Sequence, residues 1–361
     1  MRLRERSNSY HRPGSRDRLL RFEFPRTASS WLAASGLAIF LFLPFVAQAQ
    51  NLGGSDLEAV VRGLPPSGTA ESIALCPDIS ESPSVFVARD GNGLAGALAR
   101  AGYRVYLVDP WNSAEARAEG FDAVVRDIYP QLLRKLADSG GGDRVTWIGH
   151  GLCGMLPVAA AARPAGKLPE VRWIALGTRF SWALPSPLLL RWLKTWQQLE
   201  PALPDLVRRL LFTGLRGRSG PRASSAPAPL DASADPAEVL EAYHRDSVSR
   251  PPPRALVEDL LRWFEAGAAR DREGWVDYSA GLAKSDSEAL LVAGATDPVA
   301  PPEDVLAGFR LLPDTGRAQW LLLSRANGDL EEYGHLGMLL SRHSVRDVDS
   351  SLLRWLRKGK L

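Results

Sequence analysis

The chain has 361 residues, 45% hydrophobic and 24% charged, which suits one large globular domain or a domain carrying an insertion. The net charge of +3 is uneven: residues 1–49 hold eight Arg against Glu5, Asp17 and Glu23, a surplus of five, so the remainder is about two units negative. A nucleic-acid-binding surface is therefore not indicated, and two Cys with five scattered His offer no zinc site and no other cofactor site.

In chain order, the first feature is WLAASGLAIFLFLPFV at 31–46, which follows a basic segment ending at Arg26 and precedes Ala47-Gln48-Ala49. A charged region, an apolar run and a small-x-small site are the parts of an export signal, with cleavage expected after Ala49. The protein is then periplasmic or secreted. The alternative is anchoring to the inner membrane by residues 31–46, although this run is short for the roughly 20 residues a spanning helix needs.

From residue 72 onward, short apolar runs alternate with longer amphipathic ones. Strands are expected at 72–76, 104–108, 144–149, 171–176, 289–294 and 319–324, each rich in Val, Ile, Leu or Trp and bounded by turn formers. Helices are expected at 93–101, 113–137, 153–162, 302–312 and 345–357. This order predicts an α/β fold with a mostly parallel sheet and helices on both faces, and a site at the carboxyl ends of the strands.

The alternation breaks over 181–280, which divides the core into parts at 50–180 and 281–361. Amphipathic helices are expected there at 187–198, 203–212, 237–244 and 254–269, with a mobile Gly/Pro/Ser segment near 214–238. An inserted helical block reads as a cap over the site, or as a separate helical domain. Trp182, Trp192 and Trp196 lie among leucines at its start, as an apolar face for a lipid or acyl ligand or as simple packing.

Strand 144–149 runs into Gly149-His150-Gly151-Leu152-Cys153-Gly154 and then a helix of small residues. Here the chain resembles the α/β-hydrolase superfamily, in particular its lipase, esterase and polyhydroxyalkanoate synthase-like branches, whose nucleophile turns have a related glycine pattern. The resemblance puts Gly151 at the nucleophile position, where it cannot act. ALLVAGATDPVAPPEDV resembles the segment carrying the triad acid, implying Asp297, and YGHLGMLLS resembles the histidine loop, implying His335. The order nucleophile, acid, histidine also matches. The resemblance spans about 70–358 apart from the cap, and it implies no cofactor.

Two departures from the family pattern stand at this site. Besides Gly151, the loop after strand 72–76 reads Cys76-Pro77-Asp78 where the family has His-Gly. Proline has no N–H for an oxyanion hole, and Asp78 brings negative charge to it, which leaves Leu152, Cys76 and Pro77 as the oxyanion region. Cys153 is the one thiol available as a substitute nucleophile; it is otherwise a small core residue, or a disulfide partner of Cys76, since these strands are neighbours in the family's sheet. The expectation is a degenerate esterase-like or lipase-like hydrolase that binds an apolar or acyl ligand, or a protein partner in the cell envelope. The alternatives are an active ester or thioester hydrolase, using an unorthodox nucleophile or water activated by His335 and Asp297, and a purely structural envelope protein.

Overall fold

The computed structural model describes residues 49–51, 58–61, 71–88, 93–140, 144–163, 167–182, 187–199 and 250–361. The expected leader up to residue 48, the cap helices at 203–212 and 237–244 and the segment 214–238 lie outside them.

Six of the strands form a parallel sheet: β3 (Ser72–Cys76), β4 (Arg104–Leu107), β5 (Arg144–His150), β6 (Glu170–Leu176), β7 (Ala289–Gly294) and β8 (Ala318–Leu323). Two short strands, β1 (Ala49–Asn51) and β2 (Glu58–Val61), add to the β4 edge in antiparallel fashion, giving the order β1-β2-β4-β3-β5-β6-β7-β8. The sequence reading began at residue 72 and missed this pair. Neither AQN nor EAVV is an apolar run, so only the open edge of β4 makes them strands.

Side chains alternate across the sheet, so each strand feeds two cores. Ala74, Trp147, Trp173 and Leu291 join one, while Ile73, Ile148, Ile174 and Leu290 join the other. Helices α1 (Gly93–Arg100), α2 (Ala114–Glu119), α3 (Tyr129–Gly140), α4 (Leu156–Ala162), α5 (Pro187–Leu199), α6 (Arg254–Ala266), α7 (Pro302–Leu311) and α8 (Ser350–Lys358) cover the faces. Ser113 caps α2 by accepting the Ala116 N–H at 3.0 Å. Among the described residues, no helix is long and apolar enough to cross a membrane.

Helix α6, the last of the expected insertion, packs onto the core. Its Asp259 accepts the Phe121 N–H at 2.8 Å, and the Trp263 ring meets Phe121 edge-on at 5.0 Å between centroids. Asp122 extends the junction by accepting the Arg272 N–H at 2.7 Å and the Tyr278 hydroxyl at 2.5 Å.

Candidate functional site

Strand order supplies the site. The chain runs from β3 outward to β4, then returns to place β5 on the other flank of β3, and such a reversal opens a crevice at the carboxyl ends of the strands. Register then fixes the neighbours: Cys76 pairs with Gly149, so Asp78 and Gly151, each two residues on, leave the sheet side by side. Likewise His150 pairs with Leu176, which brings Gly177 to the same rim.

Gly151 has φ +53°, a conformation that favours glycine, and it opens a 3₁₀ turn, Gly151–Met155, leading into α4. A Cβ built on it would lie 2.5 Å from Asp78 Oδ1 and 2.7 Å from Asp78 Cβ. The Asp78 carboxylate thus fills the volume that a side chain at 151 would need.

That carboxylate is held from several sides. Oδ1 accepts the Leu152 N–H at 2.8 Å, and Oδ2 lies 3.6 Å from His335 Nε2. The Asp78 N–H donates to Glu81 Oε2 at 3.1 Å, and the indole N–H of Trp111 donates to the Pro77 carbonyl at 2.7 Å. A disulfide joins Cys76 to Cys153 with Cα atoms 5.9 Å apart, tying the Asp78 loop to the turn after Gly151.

On its other side His335 donates from Nδ1 to Asp297 Oδ2 at 2.8 Å, while Asp297 Oδ1 accepts the Val299 and Ala300 N–H groups at 2.8 and 2.9 Å. His335 and Asp297 are 2% and 3% exposed, so their contact is dry. Gly177 makes the approach possible: with φ +54°, it has no Cβ to come within 2.8 Å of Asp297 Oδ2 and 3.0 Å of His335 Nδ1.

Burial alone would lower the pKa of His335, but the Asp297 and Asp78 carboxylates outweigh it and hold the value well above the ordinary 6.5. Burial would raise the pKa of Asp78, and its hydrogen bond and charge interactions with His335, with help from His150 and the Leu152 N–H, reverse this into a net lowering. The two carboxylates thus favour the protonated form of His335, and the Leu152 N–H is already engaged by the Asp78 carboxylate.

Behind this trio His150 Nδ1 lies 2.9 Å from Glu81 Oε2, and its Nε2 lies 3.1 Å from the His335 carbonyl. Glu81, His150 and His335 carry potential ligand atoms within 4.8 Å of one another. Glu81 Oε2 and His150 Nδ1 engage each other, and His335 Nδ1 is bonded to Asp297, so the cluster forms a hydrogen-bonded network.

Asp78, Gly151, Leu152 and Gly177 border a small pocket with a cavity volume of about 60 Å³. Its walls are mostly apolar, with Trp182, Leu189, Trp192, Leu193, Leu260 and Phe264 among them. Of the three tryptophans singled out in the sequence, Trp182 and Trp192 line this pocket, while Trp196 is buried in the core beside it. Arg179, also in the wall, is paired with Asp304 at 2.8 Å. Its pKa is lowered by burial, partly offset by Asp304 and Asp297.

A sequence model described as "alpha/beta hydrolase fold" matches residues 86–325, more than half the chain. The chain belongs to the alpha/beta hydrolase fold family. Solved structures agree on the fold. An esterase from Thermogutta terrifontis has 16% identity over 84% of this chain and 95% of its own, with a TM-score of 0.51. For an enol-lactonase from Burkholderia xenovorans the values are 18%, 84%, 96% and 0.51, and for a monoacylglycerol lipase from Paleococcus ferrophilus 15%, 84%, 100% and 0.54. At these identities the likeness is one of fold. No curated protein matches the sequence.

For a member of this family, the residues around the turn after β5 can now be sorted. Asp297, His335, Gly151 and Leu152 come together as expected from the motifs. Cys153 is corrected: bonded to Cys76, it has no thiol to ionise and is not available as a nucleophile. Cys76 and Pro77 hold the Asp78 loop, the first through its disulfide to Cys153 and the second through its carbonyl, which accepts the Trp111 indole N–H. The contribution of Asp78 as a space-filling carboxylate was missed, as were Glu81, His150, Gly177 and Arg179. The sequence shows an acid near the turn, but only the β3–β5 register puts it in the place of the absent side chain.

Proposed function

We propose that the protein is a non-hydrolytic member of the alpha/beta hydrolase fold family that holds an apolar or acyl ligand in the pocket beside Asp78, and that it acts outside the cytoplasm. The observation that carries this reading is the Asp78 carboxylate in the volume of a side chain at 151, bound to the Leu152 N–H and paired with His335. Acyl transfer at such a turn needs a nucleophile, a base able to accept its proton and N–H donors for the oxyanion. Here the first is lacking and the other two are engaged. Export is supported by the basic, apolar and small-x-small order of residues 1–49 and by the Cys76–Cys153 bond, which suits an oxidising compartment.

The test is hydrolysis of p-nitrophenyl butyrate and laurate by the purified protein and its variants. The wild type is expected to be inactive. Gly151→Ser is expected to remain inactive, because its Cβ collides with Asp78, whereas Asp78→Gly/Gly151→Ser gains turnover that His335→Ala removes. Wild-type turnover that disappears in His335→Ala would overturn this reading. It would favour the second one, a hydrolase with an unorthodox nucleophile or with water activated by the His335–Asp297 pair, for which the retained 2.8 Å contact is the motive.

A further inference from the structure

Helix α8 turns a face of cations to solvent. Arg354, Arg357 and Lys358, at positions i, i+3 and i+4, are exposed on its outer side and Lys360 follows just past its end, while Leu352, Trp355 and Leu356 are buried on its inner side. From Ser350 to Leu361 the chain carries these four basic side chains and no acidic one. Upstream, Asp347 and Asp349 are buried, and Arg346 lies 3.6 Å from Asp347. Among the described residues, Arg354, Arg357, Lys358 and Lys360 have no ion-pair partner.

The end of the helix is fastened, so these charges sit on a fixed frame. Arg172 donates to the Trp355 and Leu356 carbonyls at 2.7 and 2.9 Å, and Gln319 bonds the Gly359 carbonyl and the Leu361 N–H at 2.6 and 2.8 Å. Arg172 and Gln319 stand at the amino ends of β6 and β8, which sets the cationic face at the end of the sheet opposite the pocket. The acids of that end are matched by other cations: Glu71 and Glu288 by Arg144 and Arg172, while Glu170 stands opposite Arg144 in the β5–β6 register.

A helix dipole favours cations in the last turn, which accounts for Arg357 and Lys358 but not for Arg354, a turn earlier, or Lys360, beyond the end. Cations at i and i+4, as Arg354 and Lys358 are, repel each other. A partner that supplies negative charge removes this cost. The cations lie along a helix face and none of them lines the pocket, so the arrangement fits an extended anionic surface. Leu353, only partly buried, precedes Arg357 by one turn, and Leu361 is 37% exposed. Apolar points among cations with long stems suit the headgroup region of a bilayer, where the charges reach the phosphates and the stems meet the acyl boundary.

We propose that this face docks the protein on an anionic phospholipid surface, with the pocket end of the sheet turned away from the membrane. Docking requires neither the pocket nor its ligand, so it fails or holds separately from the function proposed above.

The test is acylation of lysine amino groups, read by mass spectrometry, in the full chain with vesicles of phosphatidylcholine alone or mixed equally with phosphatidylglycerol. Lys358 and Lys360 are expected to be protected by the mixed vesicles only, while Lys194, exposed on α5, stays reactive. Protection is read at single residues, so attachment of residues 1–49 to lipid does not imitate it. Raising the salt from about 0.1 M to about 1 M, which shortens the screening length from about 10 Å to about 3 Å, should abolish the protection. Each cation near an anionic bilayer contributes about fivefold in affinity. Arg354→Gln/Arg357→Gln is therefore expected to raise the lipid concentration for half-protection about thirtyfold, and Arg354→Lys/Arg357→Lys to keep it. Arg254→Gln/Arg325→Gln, an equal loss of exposed charge elsewhere, is expected to leave it unchanged. Absence of protection at Lys358 and Lys360, equal protection by phosphatidylcholine alone or at Lys194, or an equal effect of the two Gln variants overturns the lipid-surface inference. So does stronger protection by a duplex oligonucleotide at matched phosphate concentration, which would assign the face to nucleic acid.

Discussion

His335 sits between Asp297 and Asp78, and its charge state reports on both. Because its folded pKa is raised, its contribution to stability is complete below about pH 6.5 and is lost as pH rises through the folded value. The Asp78 contribution runs the other way: it is present above the ordinary carboxylate value and lost as pH falls through the lowered folded value. Asp78→Asn removes one of the two carboxylates, so the His335 pKa is expected to fall, as read from its ring resonances by NMR titration. The alkaline loss of thermal stability should then begin at lower pH than in the wild type. Asp297 and His335 were legible in the sequence because each sits in a recognisable loop after a strand. Asp78 was legible as a charge, but its occupancy of the Gly151 side-chain volume depends on a register between residues 73 positions apart. The same holds for Gly177, where a Cβ would meet Asp297, Met338 and His335, residues distant in the chain.

At the scale of elements, helix α6 decides how the pocket wall is fixed. Burial pushes the Asp259 carboxyl up to about 6, against the pull of the Phe121 N–H and Arg262. A carboxyl with a raised pKa favours folding most below its unfolded value and loses that contribution as pH rises through the folded one. Asp259→Asn, which can still accept the Phe121 N–H, is therefore expected to flatten the pH dependence of the urea midpoint between about pH 4 and pH 6. Phe121 itself is fully buried between Trp111, Trp263 and Tyr278. Phe121→Ala should cost about 3–5 kcal/mol in the same measurement, as a large cavity in a rigid aromatic cluster does. The six parallel strands were readable because strands covered on both faces appear as unbroken apolar runs. Two features were not readable: the edge strands β1 and β2, and the π-turn Val124–Ile128 inside the single helix expected at 113–137. The first depends on a neighbouring edge, and the second on how the helix fits against the core, so neither leaves a periodic signal.

For the molecule as a whole, the bond between Cys76 and Cys153 links two segments that are 77 residues apart in the chain. Closing a loop of that length restricts the unfolded chain, and the stabilisation is about 2–4 kcal/mol. Unfolded protein should show no thiol until a reductant is added, and reduction or Cys76→Ser/Cys153→Ser should lower the urea midpoint accordingly. The same bond also keeps the Asp78 loop against the turn after Gly151, so reduction is expected to lower the His335 pKa together with the stability.

The overlap between Asp78 and residue 151 finally imposes an order on change. A hydroxymethyl group at 151 and the carboxylate now beside it cannot share one volume, so a lone substitution at 151 meets a clash and a lone one at 78 opens a hole. A lineage passing from a serine-bearing site to this one must lose the side chain at 151 before the acid settles at 78. The return path passes through an intermediate that has neither a nucleophile nor a filled site. Stepwise laboratory evolution for ester cleavage is therefore expected to stall where libraries that vary codons 78 and 151 together succeed.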